Sequence, residues 1–408
     1  MFSVGVEAVL IYHPYTMNPR DVDRNSLIER YFHLGFQYCE ILSFLSTLHG
    51  IKLCLRQLKR ILQTMGLQRR RGHASIQDVV DIIEQELTGS GSCLGYRQMH
   101  LKLRLEYGLV TDRETVRLLL RNLDPDGVEL RSRRRLRRRT YYASGPNFIW
   151  HTDGYDKLKP FGFAIHGAID GYSRRIMWLE VGPSNNDPKV TAKYFIDCLR
   201  VVKGAPKFMR ADCGTENIYI AGIQRFLRRD CADVIAGGQC FLYGKSVSNQ
   251  RIEAWWSFLR RSYSHWWMNY FKDLRDSGLY NDSDPLQVEC LRFCFMSLIQ
   301  KQLDKVAKHW NLHQIRPSHN RESPPGKPDV LYFLPERLST RDFSTEVDVD
   351  DLDIAEENYA VARPVKGCND SFAELAEMIM EDNNWQMSHN HGDARALYID
   401  LINHINAI

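Results

Sequence analysis

The chain has no run of 18 apolar residues, so no membrane-spanning helix is expected. Its first twenty residues, MFSVGVEAVLIYHPYTMNPR, lack a basic leading region, and Glu7 interrupts their apolar stretch. No secretory leader is read there. CxxC pairs are also missing: ten cysteines lie scattered over 408 residues. A chain this long needs no disulfide staples, and such usage suits a reducing compartment. The Asn-x-Ser sequons at Asn281 and Asn369 are then expected to be idle. What is present is ordinary for a globular protein. With 44% hydrophobic and 25% charged residues, wholesale disorder and collagen-like repetition are excluded, and the length suits roughly two to four domains.

A formal charge of +4 hides a strong asymmetry. Residues 1–150 carry 23 Lys+Arg against 15 Asp+Glu, a net of +8. Residues 151–340 carry 27 against 20, a net of +7, and residues 341–408 carry 4 against 15, a net of −11. A basic body with an acidic tail points to a polyanionic partner, nucleic acid first. The densest positive segment is RSRRRLRRR at 131–139. It includes Arg133, Arg134, Arg135, Arg137, Arg138 and Arg139, repels itself, and reads as a DNA-binding arm or a nuclear-localisation signal.

Residues 26–72 read as three short helices with stops at Gly35, Gly50 and Gly66. The last helix is basic through Arg56, Lys59 and Arg60, and the unit reads as a DNA-binding helix-turn-helix. Its third helix lacks a preferred Ser or Thr cap, having Leu53 and Cys54 instead. Residues 76–125 form a second such unit, in which Thr111 and Glu114 have capping-box spacing. An arginine-rich linker spans 126–146. From Phe148 the texture changes to three strands, then helix, strand, helix, strand and a long helix, a mixed α/β layout over 147–280. Residues 281–340 form a helical extension, residues 341–408 an acidic tail expected to be ordered only in part, and residues 1–25 an N-terminal segment.

Three acids stand out within this layout. Asp153 lies on the first strand, Asp212 closes the fourth before Gly214, and Glu253 opens the long helix. Singly, each is an ordinary surface carboxylate. Together, two acids on rigid strands and one on a helix crossing their ends suit two-ion phosphoryl transfer, because hard cations want carboxylate oxygens. Glu253, Ser257 and Arg260 share a helix face, so Arg260 is a candidate DNA contact, as are Lys245 and Asn249 just before the helix.

The segments WHTDGY, IDGYSRRIMWLEV, MRADCGTEN and SNQRIEAWWSFLRR, with GYRQMHLKLRLEYGLVTDRETVRLLLRNL upstream, resemble the retroviral-integrase-like DDE superfamily of transposases and integrases. The resemblance spans about residues 26–330. It implies an RNase H-like mixed-sheet core behind N-terminal all-α helix-turn-helix domains. It also implies an Asp153–Asp212–Glu253 triad holding two Mg²⁺ or Mn²⁺ ions, and metal-dependent 3′-end cleavage followed by strand transfer. The implied partners are element-end and target DNA and further copies of the chain, with no membrane. The implied location is the nucleus of a eukaryote, otherwise the cytoplasm. The chain departs from the family pattern at Cys213, where Asn is usual, and at Asn217, where an aromatic is common. The alternative function is a domesticated descendant that binds DNA or chromatin without catalysis; a plain RNase H-type nuclease would not need two DNA-binding units.

One further spacing imitates a zinc finger: Cys290 and Cys294, then His309 and His313. The intervening FMSLIQKQLDKVAK is helical in period, which would leave Cys294 and His309 about 22 Å apart at 1.5 Å per residue. No zinc is expected there. His33, Cys39, His49 and Cys54 are likewise read as core packing.

Overall fold

The computed structural model describes residues 23–69, 72–132, 141–231, 237–244, 249–317 and 324–407. The arginine run at 133–139 and Lys245 lie outside them. The first helical unit consists of α1 (Arg24–His33), α2 (Tyr38–His49) and α3 (Leu55–Thr64). Asp23 caps α1 by accepting from the amides of Asn25 and Ser26 at 3.0 and 3.3 Å. Gly50 ends α2 in the left-handed conformation, at φ 66°, where a side chain would be strained. The cap of α3 is Cys54 itself: its Sγ accepts from the Gln57 amide, and Gln57 Oε1 accepts from the Cys54 amide at 2.9 Å. Thiol and amide thus form the reciprocal box that a Ser–Glu pair ordinarily supplies.

The second unit comprises α4 (Ile76–Leu87), α5 (Tyr96–Glu106) and α6 (Arg113–Leu123), with α7 (Pro125–Ser132) following. Its expected Thr111–Glu114 capping box does not form. The cap position of α6 falls on Asp112, Glu114 pairs with Arg117, and the Thr111 carbonyl meets His100 Nε2 at 3.0 Å. A basic neighbour one turn away outcompetes an exposed cap amide for the Glu114 carboxylate. Each unit has its own apolar centre, around Ile28, Phe36 and Phe44 in the first and Val79, Ile83 and Leu103 in the second.

The α/β region is built on β1 (Ile149–Tyr155), β2 (Ala164–Asp170), β3 (Ile176–Gly182), α8 (Pro188–Val202), β4 (Gly204–Ala205), β5 (Phe208–Ala211), α9 (Ile218–Leu227) and β6 (Phe241–Tyr243). Among the described residues β3, β2, β1, β5 and β6 make one sheet in that order. β1–β2 and β2–β3 are antiparallel, whereas β1–β5 and β5–β6 are parallel. This is the mixed, RNase H-like sheet that the resemblance implies. Nearly every position of β2 and β3 is buried, because α8 covers one face and later helices the other.

Those helices are α10 (Gln250–Leu259), a π-helical turn at Arg260–Ser264, α11 (His265–Asp276) and α12 (Pro285–Leu312). Trp255, Trp256, Trp267, Phe271 and Phe295 pack here with Ile165 and Leu179 of the sheet. The long helix expected after residue 246 is real, but its π turn was not foreseen. Continuity of α12 separates the zinc-like residues: the Cys290 thiol donates to the Tyr398 carbonyl, and His309 Nε2 lies 3.2 Å from Glu106. After α12 come α13 (Pro328–Phe333) and β7 (Thr345–Glu346), which pairs with β4.

The acidic tail corrects the expectation of partial order. It forms α14 (Val349–Tyr359), α15 (Asp370–Asp382) and α16 (His391–Ala407). Arg200 of α8 pairs with Asp353 and Glu356, both at 2.6 Å, and Arg229 pairs with Asp351 at 2.9 Å. Leu352 and Ala355 turn inward on the same helix. Phe372, Ile379, Leu397 and Leu401 of the last two helices join the main core beside α12. The tail's charge therefore balances a basic wall, and its sparse apolar residues are spaced to be buried.

Candidate active site

Strand register brings the first two acids together. His151 of β1 lies opposite Arg210 of β5. Two residues further along each chain, Asp153 and Asp212 fall at matching positions on adjacent parallel strands, which lie about 4.8 Å apart. Asp212 sits just beyond the end of β5, where its Oδ1 accepts from the Gly214 amide at 3.2 Å and from Asn217 Nδ2 at 3.4 Å. Glu253, in the first turn of α10, completes the group. One turn later the Trp256 indole N–H donates to Asp153 Oδ2 at 2.9 Å. Gly167, paired with Asp153 across β1–β2, makes room for that indole: a Cβ there would lie 3.0 Å from the Trp256 ring.

The electrostatics are those of partly buried acids within reach of one another's charge. Burial, with the charges of Glu253 and Asp212, pushes Asp153 up to about 7 despite the Trp256 bond. Burial and Asp212 raise Glu253, while burial, Asp212 and Asp156 raise Glu216. Among the described residues, no Lys or Arg pairs with Asp153, Asp212 or Glu253. No three His, Cys, Asp or Glu side chains among them close around a single ion position. The acids feel one another's charge across a wider gap. The donor set is all carboxylate oxygen and uncompensated by cations, and so fits hard divalent ions.

Asp153 has a native value near 7 against 3.8 as the reference, so above pH ~4 the unfolded state binds fewer protons on this group. Metal-free protein should therefore lose stability as pH rises through about 4–7. At pH 8 Asp153→Asn should raise the melting temperature in EDTA, by about 2–4 °C per kcal/mol of the cost of burying and crowding this charge. An unchanged or lower value by calorimetry would refute a destabilising charge at Asp153.

Behind the acids a neutral network holds β1 to α10. Asn249 Nδ2 donates to the Thr152 carbonyl at 2.8 Å, which leaves its Oδ1 to accept from His151 Nδ1 at 2.8 Å. His151 Nε2 then accepts from the Tyr141 hydroxyl at 2.7 Å. Burial depresses His151 to about 3, in keeping with a ring that stays uncharged. Asn249 is thus a correction: expected at a DNA surface, it is 1% exposed, and its amide is committed inward because the start of α10 abuts β1. Asn249→Leu should cost about 2–3 kcal/mol by leaving buried partners unpaired, as measured by urea unfolding.

The other expected DNA contacts divide. Arg56, Lys59 and Arg60 are exposed on α3, opposite buried Leu58 and Leu62. Arg260 is exposed where the π turn begins. The Ser257 hydroxyl instead turns back to the Glu253 carbonyl at 3.3 Å. Sequence reasoning missed Trp256, His151 and Glu216 as neighbours of the acids. Trp256 was discoverable, since it follows Glu253 by three residues on one helix. It read Asn217 only as a departure, although that side chain is buried against Asp212 and Glu216.

A mixed five-stranded sheet with Asp153 on β1, Asp212 just beyond β5 and Glu253 on a crossing helix has the layout of an RNase H-like integrase core. Residues 140–327 match the family model described as integrase core domain, and the chain carries that domain. No curated protein matches the chain at a significant level. No helix among the described residues is long and apolar enough to cross a membrane.

Proposed function

We propose that the protein is a DNA transposase or integrase that cuts element ends to expose a 3′-OH and joins that hydroxyl to target DNA. The observation that supports this most is that Asp153, Asp212 and Glu253 lie near enough to feel one another's charge, with no Lys or Arg of the described residues paired to them. These carboxylates would hold two Mg²⁺ or Mn²⁺ ions. Such ions, when bound, polarise the scissile phosphodiester and stabilise the charge on the attacking and leaving oxygens. Trp256 fixes the Asp153 carboxylate, Asn217 orients Asp212, and the Asn249–His151–Tyr141 network keeps α10 registered on β1. In strand transfer the 3′-oxygen forms a bond to a target phosphorus as that phosphorus loses its own 3′-oxygen, so ester bonds exchange without a protein-linked intermediate.

In this reading residues 26–72 and 76–125 recognise element ends, with Arg56, Lys59 and Arg60 on the DNA backbone, while Arg260 guides DNA past Glu253. The seven arginines at 131–139 neutralise phosphates. Releasing seven counterions would give a salt slope of about −6 for binding. The protein acts as a homo-oligomer on DNA and resides where that DNA is, in the nucleus of a eukaryotic cell and otherwise in the cytoplasm. The test is incubation of the full chain with supercoiled plasmid and a pre-cut 3′-OH duplex in Mg²⁺ or Mn²⁺. Joined products support the assignment. Salt-sensitive binding with no nick or joint across a panel of end sequences would replace it with the binding-only descendant.

A further inference from the structure

Asn217 departs from the family pattern, and its surroundings give that departure a use. It stands at the N-terminal cap position of α9, after a short 3₁₀ turn at Thr215–Asn217. An asparagine there ordinarily turns its side-chain oxygen onto the free amides of the first helical turn. Asn217 makes no such bond. Its side chain is fully buried, and Oδ1 has no hydrogen-bond partner among the described residues.

The side chain spends its amide nitrogen instead. Nδ2 donates to Glu216 Oε1 at 2.9 Å and, more loosely, to Asp212 Oδ1 at 3.4 Å. Two hydrogens on one nitrogen thus link two carboxylates. The longer bond and the Gly214 amide, at 3.2 Å, both fall on Oδ1 of Asp212, so Oδ2 has no protein donor among the described residues. An unpaired buried acceptor is costly, and a capping bond would have removed that cost. Hydrogen bonds to charged acceptors are the stronger ones, which explains why the carboxylates win the side chain from the helix.

Glu216 is itself held in place. Its carbonyl accepts from the hydroxyl of Thr191, a fully buried residue of α8, at 2.7 Å. Its carboxylate folds back over Gly214, where a Cβ would overlap it. Gly214 has a φ of −70°, which any residue adopts. The glycine is therefore required for space and not for backbone freedom.

We infer that Glu216 is a positioning residue, which acts through Asn217 to fix the Asp212 carboxylate for a divalent cation. The inference rests on the reading of the acids as a divalent-metal site. Outer partners of this kind commonly set the orientation of a ligand that they do not replace.

The probe is Mn²⁺ alone, titrated into the full chain and followed by the electron-spin signal of the free ion, beside the strand-joining assay. Glu216→Ala should bind Mn²⁺ about tenfold more weakly, as expected when a bond that orients a metal ligand is lost. Glu216→Gln keeps an oxygen that accepts from Asn217, and should stay within about threefold of the wild type. Gly214→Ala retains Glu216 but pushes its carboxylate off Asn217, and should match Glu216→Ala. Unchanged Mn²⁺ binding in Glu216→Ala would overturn the inference. So would equal weakness of Glu216→Gln and Glu216→Ala, which would make the Glu216 charge a direct partner of the ion. Wild-type protein that shows this Mn²⁺ pattern but joins no DNA would keep the positioning role and remove the transposase assignment. No Mn²⁺ bound by the wild type would remove the metal site and the inference with it.

Discussion

Asp212→Asn is expected to reduce strand joining by about a thousandfold or more, the equivalent of several kcal/mol of lost charge stabilisation, while leaving the protein folded and bound to DNA. The substitution keeps the size of the side chain, and its oxygen can still accept from Gly214 and Asn217, the two bonds that shape the turn after β5. It removes one negative charge from a group of acids that feel one another. Asp153→Asn and Glu253→Gln should have effects of the same order, because a divalent ion responds to the summed carboxylate charge around it. Parallel gel assays of joining and of binding check this. Equal joining by wild type and Asp212→Asn would remove the acids from the chemistry. A matching loss of DNA binding would mean that the variant had lost more than the site.

The largest stability effect is expected at Arg175 and Asp329. Arg175 is fully buried, its Nε lies 2.8 Å from Asp329 Oδ1, and its guanidinium rests over the rings of Tyr332 and Phe333. The pair pins α13 to the start of β3. Asp329→Ala should cost about 3–5 kcal/mol, because it removes the carboxylate that balances a desolvated cation. Replacing both residues, Arg175→Met with Asp329→Leu, should recover most of that loss, since the desolvation penalty of both charges disappears together. Chemical unfolding of the two variants beside the wild type measures the difference. A cost below about 1 kcal/mol for Asp329→Ala, the range of a solvent-exposed pair, would show that the site opens to water.

The elements of the α/β core were legible because their patterns are local. Strands such as IMWLEVG and FAIHGAID are apolar on both faces, as a doubly covered sheet requires, and Pro188 opens its helix where proline is tolerated. The acids were legible by position, at strand and helix ends, rather than by any contact the sequence displays. Three features escaped for identifiable reasons. The Thr111–Glu114 spacing fits a capping box, but Arg117 one turn on captures the carboxylate. Asn249 looked like an exposed loop amide because nothing in SNQRIEAWW announces that Thr152 and His151 will face it. The tail looked solvated because its partners, Arg200 and Arg229, lie more than a hundred residues upstream.

By itself, then, the sequence determined the order of helices and strands, the separation of a basic body from an acidic end, and the candidacy of Asp153, Asp212 and Glu253. Periodicity, glycine stops and charge are properties of neighbouring residues and survive in one dimension. Tertiary structure alone decided that β1 and β5 align in register to bring Asp153 level with Asp212, that Trp256 reaches Asp153, and that the acidic tail folds onto α8 and α12. It also decided that the Arg104 guanidinium rests against Gly35. Each of these depends on desolvation and on contacts between distant segments, whose free energy is set only when the chain has closed around them.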